Sequence, residues 1–234
     1  MTDDVFESLR GGLVVSVQAR AESPLRDTAV MVALARAAEQ GGAVAIRAEG
    51  AMDVGAIGDA VDVPVIGLRK RELVGSAVYI TPELTDVEEI ARAGADVIAV
   101  DATLRDRPGG MCPAEFIPAA GAVGPPILAD VDDYESGLAA RQVGAHAVAT
   151  TLSGYTGDGP VPSEPDLELL RLLVQALDCP VLAEGRYSTP EDVRAALAAG
   201  AFAVVVGAAI TDPTELTRRL AEGAAGLRSH GAPR

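Results

Sequence analysis

Two residues far apart in the chain carry the first chemical suggestion. "VIGLRKREL" sets Lys70 just past the end of an apolar run, and "LAEGRYSTPEDV" sets Glu184 at the end of another. Three consecutive basic residues, Arg69 to Arg71, ordinarily form a solvated patch. The chemical reading turns Lys70 towards a ligand and its two neighbours away, as alternation along a strand requires. Partial desolvation and a nearby cation such as Arg47 lower an amine's pKa and leave a neutral fraction. A neutral amine takes a proton from carbon or forms a Schiff base.

Other polar residues stand just beyond apolar runs in the same way: Gln18, Arg47 with Glu49, Asp101, Asp130, Ser153 with Tyr155, Glu184 with Arg186, and Gly207. Each has an ordinary explanation, since Asp101 and Asp130 could cap turns and Arg47 could pair with Glu49. Ionisable groups at nearly every such position instead point to one shared site. Gln18, Arg47, Asp130, Ser153 and Arg186 are then candidate substrate contacts. Gly185 and Gly207 let the backbone approach an anion closely.

The elements that must hold these residues are legible as a repeat. Strand-like runs are predicted at 13–17, 44–48, 63–68, 97–100, 127–129, 147–150, 181–183 and 203–206. They are continuous apolar runs, the pattern of parallel strands covered on both faces. Between them lie helical segments such as "TAVMVALARAAEQGG" and "TPEDVRAALAAGA", opening on Thr, Asp or Glu and closing on small residues. Eight strands alternating with about eight helices in 234 residues predict an α/β fold of the (β/α)8 TIM-barrel type. An open doubly wound sheet is disfavoured because "SVQARAESP" after the first strand carries no G-x-G-x-x-G. A single barrel domain over 1–228 and a short polar tail over 229–234 complete the layout. In such a barrel the chemistry collects at the carboxyl ends of the strands, and the loops after strands seven and eight commonly hold a phosphate.

Composition narrows the partners. The net charge of −15 argues against nucleic acid and against an anionic membrane surface. No run approaches about 18 uninterrupted apolar residues, so no membrane span is expected, and "MTDDVFESLR" lacks a signal-peptide pattern. Cys112 and Cys179 fit no metal spacing and read as free thiols of a reducing, cytoplasmic compartment. Of the two histidines, His230 belongs to the tail and His146 begins a strand, away from the reactive end. A His-rich metal site is therefore not expected, nor any cofactor.

Taken together, "GGLVVSVQ", "GAVAIRAEG", "VPVIGLRKREL", "YITP", "GADVIAVDATLRDRP", "ILAD", "GAHAVATTLSGYT" and "VLAEGRYSTPEDVRAALAAGAFAVVVGAAIT" resemble the N-acetylmannosamine-6-phosphate 2-epimerase family over nearly the whole chain. The resemblance implies a cytoplasmic, metal-free barrel enzyme of sialic-acid catabolism. It interconverts N-acetylmannosamine 6-phosphate and N-acetylglucosamine 6-phosphate and is a homodimer. It makes Lys70 the general base and Glu184 the partner acid. Arg47, Asp130 and Gln18 contact the sugar, and Gly185, Gly207 and Ala208 the phosphate. Two positions depart from the family pattern. "GAAITDP" carries Asp212 where family members tend to have arginine, and "DRPGG" lacks a second basic residue after the proline. An acid there leaves open which phosphorylated sugar is taken. Two alternatives remain: a barrel lyase or aldolase using Lys70 as a Schiff base, and a phosphosugar-binding protein without turnover.

Overall fold

The structure, a computed structural model, describes residues 2–228. The predicted tail and His230 lie outside the described residues. A short helix α1 (Thr2–Glu7) precedes β1 (Leu13–Val17). The chain then alternates through α2 (Thr28–Gln40), β2 (Ala45–Glu49), α3 (Ala51–Gly58), β3 (Val65–Leu68), α4 (Leu84–Arg92) and β4 (Val97–Asp101). It continues through α5 (Pro113–Gly121), β5 (Ile127–Asp130), α6 (Tyr134–Gln142), β6 (Ala147–Ala149), α7 (Leu167–Ala176), β7 (Val181–Glu184), α8 (Pro190–Ala198) and β8 (Ala203–Val206). One-turn helix α9 (Ala208–Thr211) and helix α10 (Pro213–Arg228) follow. Among the described residues the eight strands close in chain order into a parallel barrel, β8 pairing with β1 at Leu13↔Val204. The predicted (β/α)8 architecture is the observed one.

Four strands run one residue further than their apolar stretches suggest, taking in Glu49, Asp101, Asp130 and Glu184. Ladder bonds use the backbone and ignore side-chain polarity, so pairing continues through an inward-facing acid. Asp101 pairs with Asp130, and Glu184 with Val205. The apolar starts at Val44 and Val63 lie outside the ladders of β2 and β3.

Period-two alternation sorts each strand into an inner and an outer face. Val14, Ala45, Ile66, Val97, Ala99, Leu128, Ala147, Leu182 and Ala203 fill the barrel interior. Val15, Ile46, Ile98, Ala129, Val148 and Val204 pack outward against the helices. Continuing the inner series past the last apolar layer leads to Ser16, Arg47, Lys70, Asp101, Asp130, Thr151, Glu184 and Gly207. Helix starts are set by side-chain caps: Asp27, Asp133, Asp166 and Thr189 accept backbone N–H bonds from the first turns of α2, α6, α7 and α8.

One departure from regular alternation bears on the site. β3 and β4 pair through only Ile66↔Val97 and Gly67↔Ile98, and the segment 79–81 is wedged between their carboxyl ends. Ile80 forms an antiparallel bridge with Lys70 and accepts from the Asp101 N–H. Thr81, at φ +45, donates its N–H to the Arg69 carbonyl at 2.6 Å and its hydroxyl to the Ala99 carbonyl at 2.7 Å. A non-glycine residue in that region is strained, and these bonds hold it there.

Candidate active site

Arg47 organises the carboxyl-end mouth. Its side chain, only 1% exposed, reaches from β2 across the interior to β5, giving Nη1–Oδ1 and Nη2–Oδ2 bonds of 3.0 and 2.6 Å to Asp130. Nη1 also donates to Glu184 Oε2 at 2.7 Å. Burial opposes the guanidinium's charge, but the two carboxylates outweigh it and hold its pKa above the ordinary value. This is a different partner from Glu49, whose oxygens instead meet Arg26 at 3.1 Å and Arg69 at 3.5 Å. The turn-cap explanation fits Asp101, which accepts from the N–H and hydroxyl of Thr103 and from Arg105 Nη2. It does not fit Asp130, whose carboxylate is taken up by Arg47 and by the Thr151 hydroxyl at 2.5 Å.

Lys70 is held by its backbone: its N–H donates to Glu49 Oε1 at 3.2 Å, while neighbouring Arg69 and Arg71 bond Thr81 and Tyr79. The neighbouring guanidiniums turn elsewhere, Arg69 to Glu49 and Arg71 to Glu83 and Asp86 on the α4 side. The Lys70 amine has its pKa lowered, first by the protein surrounding it and next by the Arg47 charge, against the attraction of Glu184, Glu49 and Asp130. Water still reaches Lys70 across the open mouth. A ligand filling the mouth would complete the burial of the amine. The Glu184 carboxyl, 15% exposed, has its pKa raised by burial and by the Asp130 charge, with Arg47, the Thr151 hydroxyl as a donor and Lys70 opposing. An amine pushed down and a carboxyl pushed up thus stand on either side of one guanidinium, their pKa values moved towards each other.

The remaining candidates fall into two further groups. Gln18 donates to Ser16 Oγ at 2.8 Å, leaving its Oε1 buried without a hydrogen-bond partner among the described residues. Ser16 lies against Gly207, where an added Cβ would meet the Ser16 Cβ at 3.4 Å. Gly207 and Ala208 form the start of α9, whose first amides have no earlier carbonyl within the helix. Gly185, at φ +109, takes a conformation that glycine alone adopts freely. Ser153 and Arg186 are occupied with the long loop after β6. Ser153 Oγ donates to Asp166 at 2.6 Å, and Arg186 donates to the Ser153 and Glu164 carbonyls at 2.5 and 2.6 Å while facing the Tyr155 ring. Arg186 does this from φ +66, so the loop's closure rests on a strained residue. Asp212 accepts from the Glu215 N–H at 3.0 Å and caps the first turn of α10, which accounts for its carboxylate without a ligand.

Two mouth residues escaped the sequence reading. Thr151 bridges Asp130 and Glu184, its hydroxyl 2.5 and 3.0 Å from their oxygens. Counting two residues inward past Ala149 would have found it. Tyr79 enters from the wedge segment; burial, then the charges of Asp130 and Asp101, push its phenol up to about 12, so it stays a neutral donor. No strand-end rule reaches a residue on a loop that folds back. His146 accepts the Ile127 N–H at 3.0 Å at the opposite end of the barrel. Among the described residues no three His, Cys, Asp or Glu side chains are grouped to hold a metal ion, and no helix is long and apolar enough to cross a membrane.

Comparison with known proteins identifies the family. Residues 31–225 match the NanE family, described as "Putative N-acetylmannosamine-6-phosphate epimerase". A protein of Caldanaerobacter subterraneus subsp. tengcongensis, named a "Putative N-acetylmannosamine-6-phosphate 2-epimerase", is 47% identical over 94% of this chain and 93% of its own. One of the same name from Klebsiella pneumoniae is 49% identical over 86% and 84%. The solved N-acetylmannosamine-6-phosphate 2-epimerase from Clostridium perfringens superposes with a TM-score of 0.89 at 40% identity, covering 93% of this chain and 95% of its own.

Proposed function

The chain belongs to the N-acetylmannosamine-6-phosphate epimerase family, and from that premise we infer that it is an isomerase inverting carbon 2 of an N-acylated hexosamine 6-phosphate, interconverting the N-acetylmannosamine and N-acetylglucosamine forms. The observation that carries this reading is the coupling of Lys70 and Glu184 to one buried guanidinium at the barrel mouth. A hydrogen on carbon 2 becomes acidic only beside a carbonyl, so the sugar reacts in its ring-opened form. Neutral Lys70 takes that proton, and the electron pair moves into an enolate whose charge rests on the carbonyl oxygen. Arg47 and the neutral Tyr79 phenol are the donors that stabilise it. Glu184, as a carboxylic acid, returns a proton to the opposite face of carbon 2. Lys70 ends protonated and Glu184 ionised, and exchange with solvent restores both.

Asp130 fixes Arg47 and contacts a sugar hydroxyl, with Gln18 a further contact through its unpartnered Oε1. Ser153 and Arg186 act by shaping the loop over the ligand. The amides of Gly185, Gly207 and Ala208 receive the phosphate, a binding mode that needs no arginine at position 212. A homodimer belongs to the same reading and would sediment at twice the 23.8 kDa chain mass.

Lys70→Ala tests the core of this. Solvent deuterium exchange at carbon 2, followed by proton NMR in deuterated water, should fall roughly a thousand-fold. Exchange near the wild-type rate would refute Lys70 as the base. Borohydride should trap no sugar adduct, whereas a Schiff-base lyase would be trapped on Lys70.

A further inference from the structure

Asp130 Oδ1 and Glu184 Oε2 share the same two neighbours. Arg47 Nη1 lies 3.0 and 2.7 Å from them, and Thr151 Oγ1 lies 2.5 and 3.0 Å from them. A guanidinium nitrogen carries two protons and can donate to both acids. A threonine hydroxyl carries one. With both acids ionised, one of its two short contacts would set lone pair against lone pair. A second proton inside the O–O–O array makes both contacts full hydrogen bonds. Arg47 makes two parallel bonds to Asp130 and a single one to Glu184, which places that second proton on Glu184.

We propose that Thr151 is a positioning residue whose hydroxyl accepts from protonated Glu184 and donates to ionised Asp130, holding Glu184 in its acid form in the resting enzyme. Burial favours the same neutral state, whereas a Thr151 hydroxyl that donated to Glu184 would favour the carboxylate. The charged groups facing Glu184 are Arg47 on β2, Lys70 beyond β3 and Asp130 on β5. When Glu184 gives its proton to carbon, the Thr151 O–H turns from Asp130 to the new carboxylate, and Asp130 keeps its bonds to Arg47. No proton other than the one placed on carbon leaves the array. The hydroxyl thus makes two hydrogen bonds while Glu184 is an acid and one after it has ionised, a net preference for the acid form.

This rests on the epimerase reading for its catalytic meaning, but its test needs no substrate. The side-chain carboxyl of Glu184, assigned in a 13C-glutamate-labelled sample by its absence from Glu184→Gln, is titrated by NMR in the wild type, Thr151→Val and Thr151→Ser. Valine keeps the shape and removes the hydroxyl. Loss of one hydrogen bond to the neutral acid should lower the Glu184 pKa by about one unit. Serine should restore the wild-type titration. A Glu184 pKa that is unchanged or raised in Thr151→Val overturns the proposal, since a hydroxyl donating to an ionised Glu184 would have held the pKa down. Deuterium exchange at carbon 2 is measured in parallel and reports on the epimerase reading separately: wild-type exchange with a failed titration rejects only the role of Thr151.

Discussion

The two ends of the barrel solve the problem of closing a strand cylinder in opposite ways. At the amino end, Phe6 of α1 and Leu9 just after it plug the interior, 4% and 0% exposed, and Arg10 covers the Phe202 ring at 4.2 Å. Charges there stay outside: Glu7 pairs with Arg10 three residues on, both more than half exposed, around a cavity of about 320 Å³ that also touches Asp178 and Cys179. At the carboxyl end, Arg47 and Asp130 are sealed from water and meet across the barrel from positions 83 residues apart. Exposed ion pairs between sequence neighbours contribute little to stability. Buried charges are costly unless each finds a partner, and their mutual dependence shifts the protons on Lys70 and Glu184. Apolar closure makes a stable floor, whereas charged closure makes a mouth that can do chemistry.

The largest effect should come from Arg47→Ala, which strands two buried carboxylates. It should cost about 3–5 kcal/mol of unfolding free energy by urea denaturation and abolish carbon-2 exchange. Full activity in a stable variant would break the contrast. Leu9→Ala at the floor should cost about 2–5 kcal/mol. The pH profile of its activity should be unmoved, because no titrating group of the mouth touches Leu9. A changed profile would mean the two ends are coupled.

The smallest effect is the pH dependence of stability. The folded pKa of Glu184 lies above its unfolded value, so its contribution is fully present below the unfolded value of about 4.3 and is lost as pH rises through the folded one. The wild type should therefore lose stability relative to Glu184→Gln on going from acid towards neutral pH. A wild type that gains on that path would show that Arg47 more than offsets the burial of Glu184.

Much of the mouth could be read in advance, because strand ends of a parallel barrel gather at one rim and side chains alternate. Lys70, Asp130 and Glu184 were reached that way. Pairing was not: Arg47 chose Asp130 and Glu184 over the nearby Glu49 because inner-face residues of non-adjacent strands meet only when the sheet closes. Ser153 and Tyr155 drew attention in "TTLSGYTGDG", but the inner series stops at Thr151. Beyond it the chain leaves the ladder, and Ser153 turns to Asp166. Asp212 stood out as an acid beside the phosphate-side loops, and it proved to cap a helix whose start depends on local geometry.

The linear order of residues was enough to determine the repeating strand–helix unit, the closed parallel sheet and which rim would carry polar groups, since these depend on periodicity and on apolar runs within about twenty residues. Which side chains meet at the mouth, and so which way the Lys70 and Glu184 pKa values move, was decided by the tertiary structure alone. Those shifts come from desolvation and from charges on four different segments, and burial and distance between such segments exist only after the barrel has closed.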